Sequence, residues 1–320
     1  MNVLERLDHL PSFRRPVAVA IGNFDGLHLG HQKILRFLVE RAKESHLYSL
    51  VLTFSPHPEK VLGQSRIAMI QTLVQRLAGI EEFGVQAVLV TAFDRTFSSL
   101  SSREFVRKII VSALQAREVI IGENFRFGRN RQGDIKTLEH LGSRFGFAVH
   151  PVRAVVRNGQ VVSSSLIRFL LAEGKIEKAN SLLGRAYEIE GKVIKGAARG
   201  KTLGFPTTNI QTANEIAPAG VFVTEARIHD RVYPSVTNIG TRPTFGEEKL
   251  QVESFLFGFQ GNAYRRRVKL CFLKKLRDEK KFPASPALVE QIRKDIAAAR
   301  NFLANRYKRT NIYLRDNKKR

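Results

Sequence analysis

Two histidines follow a glycine-rich turn near the start of the chain. Segment 22–31 reads Gly-Asn-Phe-Asp-Gly-Leu-His-Leu-Gly-His, and it stands between the apolar run Val17–Ile21 and an amphipathic stretch. Glycines let the backbone approach an anion, and the free N–H groups at a helix start bind phosphate. His28 and His31 are three residues apart and therefore share a helix face. This pattern predicts a polyphosphate site; a tight βα turn with two surface histidines is the alternative.

A second glycine-rich segment, 196–209, reads Gly-Ala-Ala-Arg-Gly-Lys-Thr-Leu-Gly-Phe-Pro-Thr-Thr-Asn. It does not contain the GxxxxGK[ST] pattern of a Walker loop. Its glycines, with Gly196 and Gly200 among them, and Lys201 could wrap a phosphate. Thr207 and Asn209 offer neutral oxygens, which suit Mg²⁺ because this ion takes few protein ligands and keeps its waters. A Gly/Pro-rich β turn is the alternative interpretation.

The elements around the first segment alternate between strand and helix patterns. Apolar runs at 17–21, 50–54, 87–90, 119–121 and 147–152 predict strands, and helical spacing of apolar residues separates them. Such alternation predicts a parallel sheet whose ligand lies beyond the carboxyl ends of the strands. A hairpin is expected at Asn158-Gly159, followed by a helix that begins near Ser163.

The pattern changes in the second half of the chain. Segments 188–194, 220–228 and 268–272 are short and rich in β-branched or aromatic residues, which predicts antiparallel β structure or a barrel. Ser285-Pro286 then begins a helix. We place the domain boundary between 183 and 184, so that 1–183 forms an α/β domain, 184–306 a β domain and 307–320 a basic tail.

Composition restricts the classes of protein to which the chain could belong. Its 320 residues and 43% hydrophobic content suffice for two packed cores, and no stretch has the apolar length of a membrane span. The start does not read as a secretory signal, and Cys271 is the only cysteine, so we expect a reducing cytoplasm and no membrane partner. The net charge of +24 attracts polyanions. No motif for reading bases accompanies it, so no specific nucleic-acid partner is expected; self-association stays open.

Segment 22–32 resembles the amino-terminal half of bacterial bifunctional riboflavin kinase/FAD synthetases, whose first module is a Rossmann-like nucleotidyltransferase. The resemblance implies that His28 and His31 are catalytic and contact the phosphates of ATP. Segment 122–128 matches a second string of the family, with Asn124 where many members have aspartate; alternating strand core residues explain its phenylalanines equally well. The other residues that the resemblance assigns to this site are Gly22, Phe24, Asn124, Ser164, Ser165 and Arg168 for ATP, and Pro56, His57, Pro58 and Asn124 for flavin. A helix cap is the alternative role for the two serines, and a rigid proline turn is the alternative for 55–58.

Segment 196–209 resembles the riboflavin kinase signature of the same family, which implies an antiparallel barrel with a carboxy-terminal helix. In the family's pattern Gly196, Gly200, Lys201, Thr207 and Asn209 bind ATP, and the last two also hold Mg²⁺. Glu253 matches the catalytic glutamate, and a carboxylate there would accept the proton of the attacking hydroxyl. The loop 277–282, with Arg277 and Phe282, resembles the flavin-adjacent loop, although a basic surface turn explains it equally well. Departures at Thr208, Phe255, Gly258 and 263–265 lie in this half of the chain.

The resemblance covers residues 14–303. It implies phosphorylation of riboflavin by ATP to give FMN, then adenylylation of FMN by a second ATP to give FAD and pyrophosphate. Two alternatives remain: a chain that retains only the FMN adenylyltransferase activity, because the kinase half carries more of the departures, and a basic nucleic-acid-binding protein on the same scaffold.

Overall fold

A computed structural model describes residues 1–5, 7, 13, 15–63, 67–196, 204–244 and 247–310. Contacts divide the chain into two compact units, Met1–Leu166 and Ile167–Arg320. None of the helices in these ranges is long and apolar enough to cross a membrane. The predicted ATP ligands Gly200 and Lys201, and most of the predicted basic tail, lie outside the described residues.

The first unit is built on a six-stranded sheet. Its strands are β1 (Asn2–Leu4), β2 (Val17–Ile21), β3 (Tyr48–Phe54), β4 (Ala87–Thr91), β5 (Ala116–Gly122) and β6 (Ala148–Val152). The order across the sheet is β1-β4-β3-β2-β5-β6, and every neighbouring pair is parallel. The predicted parallel sheet is confirmed, and β1 adds an edge strand that is too short for its pattern to be recognised.

Helices cover both faces of this sheet, because its central strands are apolar on both sides. Along β2, Val19 belongs to one buried cluster and Ala20 to the other. The helices are α1 (Leu29–Glu44), α2 (Pro58–Val61), α3 (Leu73–Glu81), α4 (Arg95–Ser98), α5 (Ser102–Phe105), which continues as a π-helical segment (Val106–Ala113), and α6 (Ile135–Phe145); a 3₁₀ turn spans Arg129–Arg131.

The expected hairpin at Asn158-Gly159 is present. Its strands are β7 (Val156–Arg157) and β8 (Gln160–Val161), and both turn residues have a positive φ, 51° and 74°, as a two-residue hairpin turn requires. Helices α7 (Ser164–Ala172) and α8 (Ile176–Leu183) follow. The division between the two units falls within α7, and the domain boundary between 183 and 184 stays a prediction.

The second unit is a closed antiparallel barrel of six strands. The strands are β9 (Tyr187–Ile194), β10 (Thr208–Thr212), β11 (Gly220–Ile228), β12 (Arg231–Thr244), β13 (Glu247–Leu256) and β14 (Arg267–Arg277), and a long helix, α9 (Ser285–Thr310), follows them. They close in the order β10-β13-β12-β11-β14-β9. The predicted barrel and its carboxy-terminal helix are therefore confirmed.

On one face of the barrel strands, buried side-chain hydroxyl groups hydrogen-bond to one another across neighbouring strands. Thr224 lies 2.8 Å from Ser235 and 2.6 Å from Thr237, and Thr237 donates to Ser254 at 3.0 Å. On the opposite side, α9 packs Ala299 and Leu303 against the barrel strands. Because successive residues of a strand point to opposite faces, these two layers determine which barrel side chains are enclosed and which are accessible.

Candidate functional site

The two predicted histidines lie together at the start of α1. His28 is the N-cap of this helix, and its Nδ1 accepts a hydrogen bond from the His31 backbone N–H at 3.3 Å. The two imidazole rings stack with centroids 3.7 Å apart. Phe24 is fully buried and has a φ of 51°, and its ring lies 5.2 Å from that of His31. The turn thus presents two adjacent imidazoles beside the N-terminus of a helix.

Glycines make this turn possible at two positions. Gly26 has a φ of 85°, and a Cβ there would lie 2.8 Å from the Ile70 side chain. A Cβ at Gly30 would lie 3.1 Å from Cε1 of His28. A side chain at either position would therefore move the turn or displace the His28 ring.

The histidine-bearing turn lies at the point where the strand order of the sheet reverses. β3 and β4 lie on one side of β2, while β5 and β6 lie on the other. Ligands of open parallel sheets bind at such a switch point, beyond the carboxyl ends of the strands. Asn124 follows β5 and is exposed at the same edge. The structure therefore places Asn124 and the two histidines on the connections that follow two neighbouring strands, β5 and β2.

Asp25, inside the turn, is almost completely buried and joins three segments. Its carboxylate accepts hydrogen bonds from the backbone N–H groups of Ile70, at 3.1 Å, and Gln71, at 3.2 Å. Its carbonyl oxygen accepts from the hydroxyl of Ser164 at 2.8 Å. Ser164 begins α7, and Ser165 and Arg168 follow on its first turns. The predicted ATP residue Ser164 is therefore bonded directly to the histidine-bearing turn.

The turn after β3 is linked to the same region. His57 is the N-cap of α2, and its Nδ1 accepts from the backbone N–H of Glu59 at 3.2 Å. Its Nε2 lies 2.9 Å from the carboxamide of Asn23. Pro56 and Pro58 flank His57 in this turn, and the Ser55–Pro56 peptide bond is cis. The predicted flavin turn and the predicted ATP turn are thus in direct contact.

A buried guanidinium lies beneath these two turns. Arg76, on α3, is 3% exposed and donates hydrogen bonds to the carbonyl oxygens of Asn23 at 2.7 Å and Phe54 at 3.1 Å. Burial lowers the pKa of this guanidinium, and the negative charge of Asp25 opposes that effect. Within the described residues, Nε of Arg76 has no hydrogen-bond partner.

The barrel carries a row of three polar side chains across three strands. Glu253 on β13 lies directly opposite Asn209 on β10 and opposite Asn238 on β12. Residues in such positions share a face, with Cβ atoms about 4.5–5.5 Å apart. Glu253 also accepts a hydrogen bond from the side chain of Gln251. Its neighbour Ser254 faces the opposite way and is fully buried, so the row lies on the face away from the hydroxyl cluster.

The segment that leads into β10 carries Thr207 and packs against β13. Thr207 is two residues before Asn209, and the ring of Phe205 contacts the ring of Phe255 edge-on at 5.9 Å. Gly196 lies so close to the Asn209 carboxamide that a Cβ there would overlap it. Phe255 is a departure from the family's pattern, and here its ring packs against Phe205, two residues before Thr207.

Arg277 and Phe282 lie near the end of the barrel. The guanidinium carbon of Arg277 is 5.8 Å from the centre of the Phe282 ring. Three hydrogen bonds of 2.9–3.1 Å join the same guanidinium to the buried carboxylate of Asp295 on α9. Arg277 therefore anchors the 278–282 loop to α9 through a bidentate ion pair, a contact that its sequence pattern did not predict.

Comparison with known proteins decides which family this arrangement represents. A family model described as FAD synthetase matches residues 10–166, and one described as riboflavin kinase matches 183–303. Two curated proteins named bifunctional riboflavin kinase/FMN adenylyltransferase are similar to this chain. The one from Haemophilus influenzae is 36% identical, over 94% of this chain and 99% of its own length. The one from Bacillus subtilis is 37% identical, over 90% of this chain and 92% of its own length. This chain belongs to the family of bifunctional riboflavin kinase/FMN adenylyltransferases.

A solved structure also matches nearly the whole chain. It is described as a macrolide-efflux protein from Streptococcus pneumoniae, is 28% identical, and covers 93% of this chain and 98% of its own, with a TM-score of 0.85. This likeness extends through both units, and each is therefore an architecture found in another protein.

Within the family, the structure brings together most of the predicted residues of the first site. Gly22, Phe24, His28, His31 and Ser164 are joined through one turn, while 56–58 contact that turn through Asn23. The alternative interpretation of segment 122–128 also holds in part, because Phe127 is buried in the core and stacks on Phe125 at 5.5 Å. In the barrel, Asn209 and Glu253 are neighbours, and Gly196 contacts Asn209.

Three residues that the sequence did not single out complete these arrangements. Asp25 and Arg76 hold the turns of the first unit, and Asn238 flanks Glu253 in the barrel. Asp25 lies inside segment 22–32, so its position carried a signal. Arg76 lies on an amphipathic helix, where a charged residue is usually solvated, and no pattern distinguished it.

Proposed function

We propose that the catalytic groups for the two steps of FAD synthesis lie on separate units of this chain. The chain phosphorylates riboflavin with ATP and adenylylates the resulting FMN with a second ATP. The observation that supports two sites most strongly is the placement of the two predicted catalytic groups. The stacked histidines lie at the switch point of the parallel sheet, and Glu253 lies in a polar row on the barrel.

At the first site, a phosphate oxygen of FMN attacks the α-phosphorus of ATP, and pyrophosphate leaves. Such a step needs positioned donors for the charge that develops on phosphate oxygens, rather than a nucleophile from the protein. We assign the imidazole N–H groups of His28 and His31 to that role, together with backbone N–H groups at the start of α1. Ser164, Ser165 and Arg168 are assigned to the departing phosphates.

The remaining assignments at the first site concern substrate binding. Gly22 and Phe24 shape the nucleotide pocket, Asn124 bonds the ribose or the flavin phosphate, and 56–58 line the flavin side. The contact between Asn23 and His57 supports this arrangement, because it holds the two proposed substrate turns at one distance.

At the second site, Glu253 accepts the proton of the primary hydroxyl of riboflavin as that oxygen attacks the γ-phosphorus of ATP. A carboxylate within reach of the attacking hydroxyl is the usual base for such a transfer. Gly196, Gly200 and Lys201 are assigned to the ATP phosphates, and Arg277 and Phe282 to the flavin end. Because Arg277 is bonded to Asp295, we assign it the role of holding the loop, and we assign Phe282 the contact with flavin.

The donor set at Thr207 and Asn209 fits Mg²⁺. Both side chains supply hard, neutral oxygens, and the close approach of Gly196 to Asn209 fixes the carboxamide. Mg²⁺ bound there would neutralise charge on the transferring phosphoryl group. We further propose that both reactions take place in the cytoplasm.

Isotopic labelling of ATP tests the two reactions in one chain. Label in the γ-phosphate must enter FMN when riboflavin is the substrate, and label in the α-phosphate must enter FAD when FMN is the substrate. Failure of α-label to enter FAD would overturn the assignment of the first site, and failure of γ-label to enter FMN would overturn that of the barrel.

A further inference from the structure

Arg76 is a buried charged residue that none of the sequence patterns explains. It lies on α3, and its side chain is buried rather than exposed to water. Burying a charge costs free energy unless hydrogen bonds compensate for it. Its described hydrogen-bond partners are two backbone carbonyl groups, of Asn23 and Phe54, and the negative charge of Asp25 acts on it as well.

These two carbonyl groups belong to different connections of the sheet. Asn23 lies in the turn after β2, which carries His28 and His31, whereas Phe54 ends β3 and precedes the 55–58 turn. Arg76 therefore forms one rigid fork across both turns. The fork is planar, so the two N–H groups fix the separation and the orientation of the two carbonyl groups at once.

Further contacts converge on the same point. The Asn23 carbonyl also accepts from the hydroxyl of Thr53 at 3.2 Å, and the Asn23 carboxamide contacts His57 at 2.9 Å. Two polar contacts thus join Asn23 directly to residues of β3 and of the turn after it, and the Arg76 bond of 2.7 Å is shorter than either and charge-assisted.

We propose that Arg76 is a positioning residue for adenylyl transfer, which sets the distance between the turn that binds the ATP phosphates and the turn that binds the flavin. This inference rests on the proposed assignment of these turns. Reaction between two bound substrates requires their reacting atoms within about 3–3.5 Å, and a misplacement of about 1 Å costs about 10²-fold in rate. Arg76 is buried and bonds the backbone at both connections, so we expect its effect on the rate of the step rather than on the occupancy of one site.

The test compares Arg76→Met and Arg76→Lys with wild type in the full-length chain. Methionine removes the charge and both donors at similar volume, whereas lysine keeps the charge and can bond one carbonyl. Arg41→Met is the matched control, because Arg41 is also bonded to a buried group, the carboxylate of Glu118 at 2.8 Å, but at the opposite end of α1 from His28. Phosphorylation of riboflavin by the same molecules is the internal reference.

We expect Arg76→Met to lower kcat for FAD formation from FMN by about tenfold to 10²-fold, with the KM for ATP and the rate of FMN formation unchanged. Arg76→Lys should recover part of the rate, and Arg41→Met should leave it near wild type. Equal losses in Arg76→Met and Arg41→Met, or a folded Arg76→Met with the wild-type kcat, would overturn the proposal.

A milder variant covers the case in which Arg76→Met does not fold. Thr53→Val removes one hydroxyl bond to the Asn23 carbonyl at nearly constant volume, and a lower kcat with an unchanged KM for ATP supports the role of this carbonyl. If Arg76→Met does not fold and Thr53→Val keeps the wild-type kcat, the proposal is overturned. Loss of FAD formation by the wild-type chain itself would instead refute the proposed function of the first site.

Discussion

His28 has one observed role and one proposed role, and substitutions can separate them. It caps α1 through Nδ1, and its imidazole is proposed to donate to a phosphate of ATP. His28→Ala removes both roles, whereas His28→Ser keeps an oxygen for the cap but is too short to replace the ring. We therefore expect the two variants to differ in stability and to agree in rate.

The structure sets the size of both effects. The cap bond is long, 3.3 Å, so its loss in His28→Ala should cost the low end of the usual range for N-caps, about 0.5–1 kcal/mol. Serine should recover most of this, because it is among the best N-cap residues. Removal of one positioned donor to a transition-state oxygen costs about 10²-fold to 10³-fold in kcat, and both variants should show it.

Two measurements separate these effects. Single-turnover formation of FAD from FMN gives the rate of the adenylyl step. Hydrogen exchange of the α1 amides gives local stability, which suits a chain of two units better than one global unfolding curve. Recovery of the wild-type rate by His28→Ser would show that His28 is only a cap, and an unchanged rate in His28→Ala would remove it from the site.

Three further outcomes follow from the described contacts. Glu253→Gln should lower riboflavin phosphorylation by about 10²-fold while FAD formation from FMN is unchanged; an unaffected kinase rate would assign Glu253 to structure. Burial favours a raised pKa for Glu118, but hydrogen bonds from Arg41 and Ser45 lower it below the usual 4.5. The ionised Glu118 carboxylate therefore stabilises the fold fully above that pH, and the stabilisation is lost as the pH falls towards the pKa of the folded state. Glu118→Gln should destabilise the protein at pH 7 by about 1–3 kcal/mol and match wild type in acid. A deficit that persists in acid would contradict this. Thr224→Val should lower the stability of the barrel, measured by hydrogen exchange of its strand amides, by about 1–3 kcal/mol, because it removes the described partner of the buried Ser235 hydroxyl; no loss would show that this hydrogen bond is not needed.

The regular parts of this fold could be predicted because their patterns are local. Five apolar runs separated by helix-sized intervals are enough to predict a parallel sheet, and the observed strands lie within a few residues of the predictions. The helix beginning at Ser285 and the hairpin at Asn158-Gly159 each have a signal in adjacent residues. The position of the histidine-bearing turn at the carboxyl edge follows from the same pattern.

Other features depend on contacts between residues distant in sequence. The register that places Asn209, Glu253 and Asn238 in one row is a property of three strands, and no single segment contains it. Arg76 bonds residues 53 and 22 positions away, so its burial has no local signature. The sequence around Arg277 likewise does not show that this residue anchors a loop. That role follows from its ion pair with Asp295, which lies on another element.

A mixing experiment with two variants shows whether the two reactions use separate sites. His31→Ala and Glu253→Gln are each incubated with riboflavin, ATP and Mg²⁺, first alone and then together, and the flavins are resolved by chromatography. We expect that His31→Ala stops at FMN, that Glu253→Gln makes little product, and that the mixture makes FAD through free FMN. FAD formation from riboflavin by His31→Ala alone, or a mixture that stops at FMN although Glu253→Gln adenylylates added FMN, would contradict it.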